Sequence, residues 1–329
     1  MKRYVAPAVI SLTSAVALTA CGDLDSGNDD GSGEWTPSST VRVIVPYEAG
    51  GGTDLAFRRL VDVINESELS DVRWIVENRD GAGGTTAMRF VAGQEGDDHL
   101  LMATTPGHIS VPILQDLDVT IDDLTPVANT VIDPQVLFAH EKTGLKSAEQ
   151  VVTQLEKEPE SLSMAGAPVG QDDHLTTLVF EQATGTKFNF VPFTGGDEVK
   201  TNILGGQVDV AWLNPAEADG QRVEEGGPLV PIAVALEDEV EGLEGVPTFV
   251  EDDYDVVYDQ FFRGLTGPPG MSDEAIDYLA DVVEQATETE DWADFVAEAK
   301  TVANYLPPEE FSTALEEWTD KVETLLEAQ

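Results

Sequence analysis

Residues 45–54 read Val-Pro-Tyr-Glu-Ala-Gly-Gly-Gly-Thr-Asp and join an alternating strand, Val41–Val45, to an amphipathic helix predicted over about residues 53–65. Three consecutive glycines allow the backbone to approach a ligand closely. The N–H groups at the start of the helix point into the same space, and the helix dipole favours an anion there. The loop therefore predicts a carboxylate site that depends on the backbone rather than on basic side chains.

Residues 1–20 have the composition of a secretory signal peptide. A basic start, Lys2 and Arg3, is followed by an apolar stretch that is too short to span a bilayer. The sequence Leu-Thr-Ala-Cys at 18–21 resembles a bacterial lipobox, which predicts a lipid anchor on Cys21; alternatively, Cys21 is only a small apolar residue of the signal. Residues 21–40 are rich in Gly, Ser, Asp and Thr and are interpreted as a flexible acidic linker.

The charge of the chain is strongly unbalanced. It contains 63 acidic and 17 basic residues, and its formal net charge is −46. Such a charge is self-repelling in dilute salt, whereas the 41% of apolar residues argues against a disordered chain. We therefore expect a folded protein from a halophile, in which concentrated salt screens the repulsion. A calcium-loaded protein is the alternative, but the ligand spacing of a calcium loop is not found, and nucleic acid is not an expected partner.

Strands and helices alternate after the linker, which is typical of an α/β fold. In the first part, residues 100–103 are predicted as a buried strand and residues 104–108 as its exit loop. In the second part, a strand over residues 161–165 leads through the loop 166–171 into a helix. Ligands of open α/β sheets bind at the carboxyl ends of strands, so these loops are predicted to belong to a site.

Further local predictions concern the second part of the chain. Asp172 is predicted as the N-cap of the helix after the loop 166–171, and Gly185 as the residue that ends it. Residues 256–265 are predicted as a strand that returns the chain to the first part. The chain is predicted to end in helices.

Six motifs occur in order along the chain. They are Val-Pro-Tyr-Glu-Ala-Gly-Gly-Gly-Thr-Asp (45–54), Val-Glu-Asn-Arg-Asp-Gly-Ala-Gly-Gly-Thr (76–85), Val-Pro-Phe-Thr-Gly (191–195), Leu-Gly-Gly-Gln-Val-Asp-Val-Ala (204–211), Val-Pro-Thr-Phe (246–249) and Gly-Leu-Thr-Gly-Pro-Pro-Gly (264–270). Together they resemble the solute-binding receptors of tripartite tricarboxylate transporters, the TctC or Bug family. The resemblance extends over residues 41–326.

The resemblance implies an α/β, two-lobe type II periplasmic-binding-protein fold with two crossover strands and a ligand cleft between the lobes. Lobe 1 would comprise residues 41–131 and 249–329, and lobe 2 residues 132–248. The implied ligand is a small carboxylate, held mainly by backbone N–H groups and ordered waters from residues 49–54 and 166–171. The implied partners are a large and a small integral membrane permease subunit, and we expect a monomer.

The predicted ligand-binding residues come from five places in the chain. They are Ala49, Gly50, Gly51, Gly52, Thr53 and Asp54; Thr104 and Thr105; Gly166, Ala167, Gly170, Gln171 and Asp172; Phe193, Thr194 and Gly195; and Asn214. Asp54 is interpreted first as a group that orients its loop, and second as a ligand contact. No cofactor or metal is predicted, and we expect no catalysis because the common nucleophile, phosphate-loop and zinc motifs are absent from the sequence.

The chain departs from the family pattern in two places. The loop of the second lobe continues as Asp172-Asp173-His174 where small hydroxyl residues are usual, and Phe193 replaces a common tyrosine. Asp172 is interpreted as a helix cap, and a sharper hypothesis is that it pairs with an ammonium group of the ligand. Two alternatives to a transport receptor remain open: a ligand sensor for a histidine kinase, and a surface hydrolase in which Asp172, Asp173 and His174 hold a divalent metal.

Overall fold

A computed structural model describes residues 35–327. The predicted signal peptide, Cys21 and residues 22–34 of the predicted linker lie outside this range. The described end of the linker is docked on the body of the protein: the Trp35 ring meets Tyr278 edge-on with ring centroids 5.5 Å apart, and Pro37 is buried. The prediction of a flexible linker up to residue 40 is therefore wrong at this end, because Trp35 supplies apolar surface that packs.

The secondary structure of residues 35–327 alternates as an α/β fold. The strands are β1 (Val41–Val45), β2 (Trp74–Asn78), β3 (Leu100–Thr104), β4 (Thr125–Ile132), β5 (Val136–His140), β6 (Ser163–Gly166), β7 (Asn189–Pro192), β8 (Val210–Leu213), β9 (Leu229–Val234), β10 (Phe262–Gly267) and β11 (Val302–Leu306). The α-helices are α1 (Gly52–Glu66), α2 (Thr85–Ala92), α3 (Gly107–Gln115), α4 (Ala148–Lys157), α5 (Asp172–Thr184), α6 (Gly196–Leu204), α7 (Asp273–Thr287), α8 (Glu290–Ala299) and α9 (Pro308–Glu327).

The strands form two sheets, and each sheet with its helices is called a lobe here. The sheet of lobe 1 has the order β11-β4-β10-β3-β1-β2, and that of lobe 2 has the order β7-β6-β8-β5-β9. The inner strand β1 is parallel to both neighbours, β2 and β3, with Val43 opposite Val76 and Leu101. Both faces of a parallel strand inside such a sheet are covered, and for this reason the β-branched residues of β1 are almost entirely buried.

The register of β10 places its first residues at the edge where β1 and β3 end. β10 runs antiparallel to β3 and β4, with Gly264 opposite Thr104 and Phe262 opposite Ile132. The amino end of β10 and the carboxyl ends of β1 and β3 therefore lie at one edge of the sheet. In lobe 2, Val136 at the start of β5 lies opposite Leu213 at the end of β8. The carboxyl ends of β6 and β8 likewise share an edge with the start of β5.

Two connections join the lobes, residues 133–135 and residues 235–261. They are hydrogen-bonded to each other: Asp133 N–H donates to the Phe261 carbonyl at 2.8 Å, and Ala235 N–H donates to the Gln135 carbonyl at 2.8 Å. The predicted strand over residues 256–265 is wrong in its first half, because β10 begins only at Phe262 and the preceding residues form the second connection. None of the helices within residues 35–327 is both long and apolar enough to cross a membrane.

Candidate functional site

Two adjoining cavities lie between the lobes, with volumes of about 280 Å³ and 480 Å³. Both are lined by the start of α1 from lobe 1 and by the start of α5 from lobe 2, including Gly52 and Asp172. They are called the cleft here. A larger cavity of about 1010 Å³ lies beside α5 and β7, but it is away from the loops at the strand ends. The cleft is therefore the candidate site, because it contains the strand-end loops of both sheets.

The predicted ligand-binding residues divide into two groups. The residues that line the cleft are Gly51, Gly52, Thr53, Thr105, Ala167, Gln171, Asp172, Thr194, Gly195 and Asn214. The residues that do not line it are Ala49, Gly50, Asp54, Thr104, Gly166, Gly170 and Phe193. The second group is set back from these two cavities. Ligand contact by either group stays a prediction.

The start of α1 presents free backbone donors to the cleft. Gly51 is the N-cap residue, and no side chain caps the helix. The N–H groups of the first turn of a helix have no partner within the helix, so the N–H groups of Gly52 and Thr53 are available to a ligand. Because Gly51 and Gly52 have no side chain to block the approach, an anion could come within hydrogen-bond distance of these N–H groups.

Asp54 orients this loop from behind. Its carboxylate is almost fully buried and accepts hydrogen bonds from the Gly50 N–H at 2.8 Å, from Arg58 Nε at 2.8 Å and from Asn78 Nδ2 at 2.7 Å. Burial alone would raise the pKa of Asp54, but these hydrogen bonds lower the pKa below its ordinary value. Asp54 is therefore an ionised group satisfied within its own lobe, in agreement with its first interpretation as an orienting residue.

Arg263 is a cleft residue that the sequence reasoning missed. It lies on β10, lines the smaller cavity, and only 11% of its side chain is exposed. Its Nε donates to Oδ2 of the fully buried Asp133 at 2.5 Å, and its Nη2 contacts the same oxygen. A Cβ atom on Gly52 would come within 2.9 Å of Nη2, so the guanidinium lies directly against the start of α1. The available signal was an arginine inside an apolar stretch, Phe261-Phe262-Arg263-Gly264-Leu265.

The two threonines at the end of β3 have different roles. Thr104 is fully buried within the sheet, and its Oγ1 is 2.7 Å from Oγ1 of Thr266. The predicted exit loop is thus wrong at this position, because Thr104 is the last residue of the strand. Thr105 does line the cleft, and its Oγ1 is 2.7 Å from the hydroxyl of Tyr47, a lining residue that was not predicted. Burial raises the pKa of Tyr47, so this phenol stays protonated.

His108 supports the same region without reaching the cleft. Its Nδ1 accepts a hydrogen bond from the Thr105 N–H at 3.0 Å, and burial lowers its pKa to about 4. The ring is therefore neutral at pH 7. A Cβ on Gly84 would lie 2.6 Å from His108 Nε2, so only glycine fits where the turn before α2 passes over the imidazole. This contact explains one glycine of the turn at residues 80–84.

The acidic residues at the start of α5 face different partners. The N-cap is Gln171, and Asp172 is the first helical residue, so the prediction of Asp172 as the cap is wrong by one position. Oδ1 of Asp172 accepts from the Tyr258 hydroxyl at 3.2 Å, and Oδ2 of Asp173 accepts from the Ala167 N–H at 2.8 Å. His174 turns away and packs edge-on against Phe190 with ring centroids 5.0 Å apart. The three side chains do not converge on one point, as a shared metal would require.

Burial raises the pKa of both carboxyl groups at this helix start. The pKa of Asp172 rises to about 7 because burial outweighs the hydrogen bond from Tyr258. The pKa of Asp173 also rises to about 7, because burial outweighs the hydrogen bond from Ala167 and the charges of Asp172 and Glu217 raise it further. A ligand group that favours the ionised form of Asp172 or Asp173 would lower these values again.

Further polar residues of lobe 2 complete the cleft. Asn214 lies at the end of β8, and its side chain accepts from the Ala216 N–H at 3.1 Å, which fixes it as a helix cap. Glu217 in the same turn lines the cleft, and burial raises its pKa above the ordinary value. Thr194 lines the cleft but its hydroxyl donates to Glu198 at 2.7 Å. The side chains that lobe 2 presents to the cleft are thus mainly acceptors.

Contacts between the lobes close one side of the cleft. Ser110 of α3 donates to the carbonyl of Gly170 in the loop before α5. The Gln171 side chain extends toward lobe 1, where a Cβ on Gly107 would lie 3.0 Å from its Oε1. The described conformation is therefore one in which lobe 2 touches lobe 1 through the loop 166–171.

Two α/β lobes, two connections and a polar cleft between the lobes define a solute-binding protein of the periplasmic type. The sequence profile described as "Tripartite tricarboxylate transporter family receptor", TctC, matches residues 57–327. The chain belongs to this family, whose members are extracytoplasmic solute-binding receptors. The resemblance drawn from the six motifs is thereby confirmed, as is the predicted fold class.

Individual relatives are similar over most of their length. The chain is 26% identical over 263 residues to "Protein BugT" of Bordetella pertussis, which covers 78% of this chain and 79% of BugT. A solved structure described as a periplasmic transporter matches with a TM-score of 0.77 and 26% identity, covering 88% of this chain and 97% of the other. MatC of Rhodopseudomonas palustris, solved with bound malate, shares the fold with a TM-score of 0.73, at 23% identity and 88% and 99% coverage.

Proposed function

We propose that this protein is a receptor that captures a small organic carboxylate in the cleft and delivers it to a tripartite tricarboxylate-type membrane permease. The observation that carries the proposal is the position of Arg263 against the uncapped start of α1. A guanidinium and a helix N-terminus both carry positive charge, and their close approach is favourable when an anion lies between them. The family membership supports the same conclusion.

The carboxylate seat, as we name Gly51, Gly52, Thr53 and Arg263, combines two kinds of donor. The backbone N–H groups fix the position of the carboxylate oxygens, and the guanidinium adds a charge-assisted hydrogen bond. Arg263 is held in place by Asp133, so little side-chain freedom is lost when a ligand binds. The sequence pattern indicates only the glycines of this seat, and the arginine makes the seat specific for an anion.

The remaining parts of the proposal concern the partner subunits, the lobe boundaries, the membrane attachment and the oligomeric state. The family supports a large and a small integral membrane subunit as partners, and the transport energy would come from them rather than from this chain. We propose lobe boundaries at 131/132 and 248/249, membrane attachment through Cys21, a monomeric state, and binding without catalysis. The metal-dependent hydrolase is not favoured, because Asp172, Asp173 and His174 face separate partners.

A thermal-shift screen of the purified protein in molar salt tests this function. The panel contains di- and tricarboxylates, including malate and adipate, together with aromatic acids and amino acids. A ligand present at a hundredfold excess over Kd stabilises the folded state by about 2.7 kcal/mol, which raises Tm by several degrees. We expect selective stabilisation by a few acids of one size.

The matched controls are the neutral amides of the same acids and the panel of divalent metals. If the amides stabilise the protein as much as the acids, the seat does not recognise a carboxylate. Shifts produced only by metals would refute the receptor function and support the hydrolase.

A further inference from the structure

The side chains on the two sides of the smaller cavity differ in whether they donate or accept hydrogen bonds. Lobe 1 presents donors, namely the N–H groups at the start of α1 and the Arg263 guanidinium. Lobe 2 presents acidic side chains, which are acceptors when ionised, because Asp172, Asp173 and Glu217 all line the same cavity. A ligand whose only polar group is a carboxylate would bind the donors of lobe 1. The ionised carboxylates of lobe 2 would repel this ligand and would receive no hydrogen bond from it.

Two buried acceptors next to this cavity have no hydrogen-bond partner among the described residues. Oε1 of Gln135 is unpaired although the residue is only 2% exposed and lines the cavity. Oδ1 of the fully buried Asp133 is also unpaired, since Arg263 uses Oδ2. Leaving a buried acceptor unsatisfied is costly, so Oε1 of Gln135, which belongs to a residue that lines the cavity, indicates that a donor from outside the chain completes the site.

The hydrogen bonds already made by the acidic residues leave further acceptor atoms. Tyr258 donates to Oδ1 of Asp172, which leaves Oδ2. The Asn214 N–H donates to Oε2 of Glu217, which leaves Oε1. Among the described residues that line either cavity, Arg263 is the one basic side chain, and its guanidinium lies against the start of α1. The acceptors of lobe 2 therefore have no positive partner of their own in the cleft.

We propose that the ligand carries an ammonium group in addition to its carboxylate, and that the acceptors of lobe 2 bind this group. This inference rests on the proposed carboxylate receptor function. The carboxylate lies in the seat at the start of α1, and the ammonium group donates its three N–H bonds toward Asp172, Glu217 and Gln135. An ammonium has three donors and no acceptor, which matches a surface made of acceptors. The ligand class is thus a small zwitterionic amino acid or a related amino-carboxylic acid.

The pKa values of the carboxyl groups in the cleft predict how the affinity for each class of ligand changes with pH. Asp172 and Asp173, each with a pKa of about 7, are mostly neutral at pH 6 and mostly ionised at pH 8. Besides each other, the titratable groups that interact with these carboxyls are Tyr47, Tyr258, Asp133, Glu217 and Arg263. An ammonium group binds better to ionised carboxylates, so affinity for an amino acid rises from pH 6 to pH 8. Affinity for a simple dicarboxylate falls over the same range.

The test uses pairs of acids that differ only by an amino group. Calorimetric titrations in molar salt compare β-alanine with propionate, 4-aminobutyrate with butyrate, and aspartate with succinate, at pH 6 and pH 8. We expect the amino member of at least one pair to bind about tenfold tighter at pH 8, with a smaller ratio at pH 6. Equal affinities within every pair, or tighter binding of the acids without an amino group, would overturn the inference.

Two variants test whether the preference for acids with an amino group arises from lobe 2. Asp172→Asn removes one charged acceptor while its Oδ1 can still accept from Tyr258, and it should reduce the tenfold preference to about twofold or less. Asp320→Asn makes the same change at an exposed position of α9 outside the cleft and should leave the preference intact. An unchanged preference in Asp172→Asn would also overturn the inference.

The outcomes separate this inference from the function on which it rests. If succinate binds well and aspartate does not, the receptor function stands and the ammonium site is refuted. If no member of any pair binds and no acid of the wider screen stabilises the protein, the receptor function itself fails. If amino acids bind and Asp172→Asn loses the preference, both proposals are supported.

Discussion

The starts of α1 and α5 are built alike and yet present opposite charges to the cleft. Both follow a glycine-containing loop at the carboxyl end of a strand, and neither has a side-chain cap. At α1 the only acidic group of the first turn, Asp54, turns away and is satisfied by Gly50, Arg58 and Asn78. At α5 the two acidic groups line the cleft, and burial raises their pKa to about 7.

This difference shows that the loop backbone does not by itself determine which ligand group binds. The dipole of each helix favours an anion at its start, but side chains from other elements decide the local charge. Arg263, which comes from β10, makes the α1 side positive, whereas Asp172 and Glu217 make the α5 side negative. A glycine-rich loop therefore marks where a ligand lies, and the facing side chains decide its chemistry.

The largest expected effect comes from removing Arg263. Arg263→Gln should weaken carboxylate binding by about 10- to 100-fold, because a charge-assisted hydrogen bond is lost. The variant should also be destabilised by about 3–5 kcal/mol, because Asp133 is left as a buried, unpaired charge. Calorimetry and chemical denaturation measure the two losses separately.

A double variant separates binding from folding at this position. Arg263→Gln with Asp133→Asn removes both charges, so most of the lost stability should return while binding stays weak. Arg89→Gln, which breaks an exposed ion pair with Asp118, is the matched control and should change stability by less than about 1 kcal/mol. Normal carboxylate affinity in the double variant would show that the α1 side is not the seat.

The next largest expected effect is a loss of carboxylate affinity when a methyl group is added to one of two adjacent glycines of the loop. A methyl group on Gly52 would lie 2.9 Å from Arg263 Nη2, and it would displace a guanidinium that Asp133 holds in place. A methyl group on Gly51 would lie 3.7 Å from the Glu48 carbonyl oxygen, an ordinary contact. Gly52→Ala should thus weaken carboxylate binding about tenfold, and Gly51→Ala should have the smaller effect, as measured by calorimetry. Equal affinities in the two variants would contradict this packing.

The smallest expected effect is on stability and has opposite signs at the two helix starts. The folded-state pKa of Asp172, about 7, lies above the ordinary value, so stability falls as pH rises from about 4 through 7. Asp172→Asn removes this loss and should raise Tm at pH 8 by roughly 2–4 °C, the equivalent of about 1 kcal/mol, with no gain near pH 4. Melting curves of the ligand-free protein between pH 4 and pH 8 provide the measurement.

Asp54→Asn is the matched comparison on α1. The folded-state pKa of Asp54 is lowered, so its stabilising contribution is present above the ordinary pKa and is lost only as pH falls through the folded value. Asp54→Asn should therefore lower Tm at pH 8, where Asp172→Asn raises it. If both variants shift Tm in the same direction at pH 8, the assigned difference between the two sides is wrong.

Much of the fold could be predicted from local sequence patterns. The alternating valines of β1 and the helix periodicity after the glycine loop identified both elements, and Gly185 ends α5 with a φ of 68° as expected of a C-cap. Strands β4 and β11 were not predicted. β4 is held in the sheet by pairing with β10 and β11, which are distant in sequence. Local periodicity carries little information about such pairing.

The place of the candidate site in the fold could be predicted from the sequence, but the charges of the side chains that line the site could not. The loops at residues 49–54 and 166–171 contribute Gly52 and Gln171 to the cleft, as their strand-end positions indicated. Arg263 and Glu217 were missed because they reach the cleft through the strand register of β10 and the turn after β8. Neither feature has a motif of its own, and only the folded arrangement shows which charges face the loops.

The most direct test of the central claim is a crystal structure of the protein with the carboxylate that stabilises it most in the screen. The account predicts that the carboxylate oxygens lie about 2.7–3.2 Å from the N–H groups of Gly52 or Thr53 and from the Arg263 guanidinium. A carboxylate bound at the start of α5, or outside the cleft, would contradict the assignment of the anion seat to lobe 1.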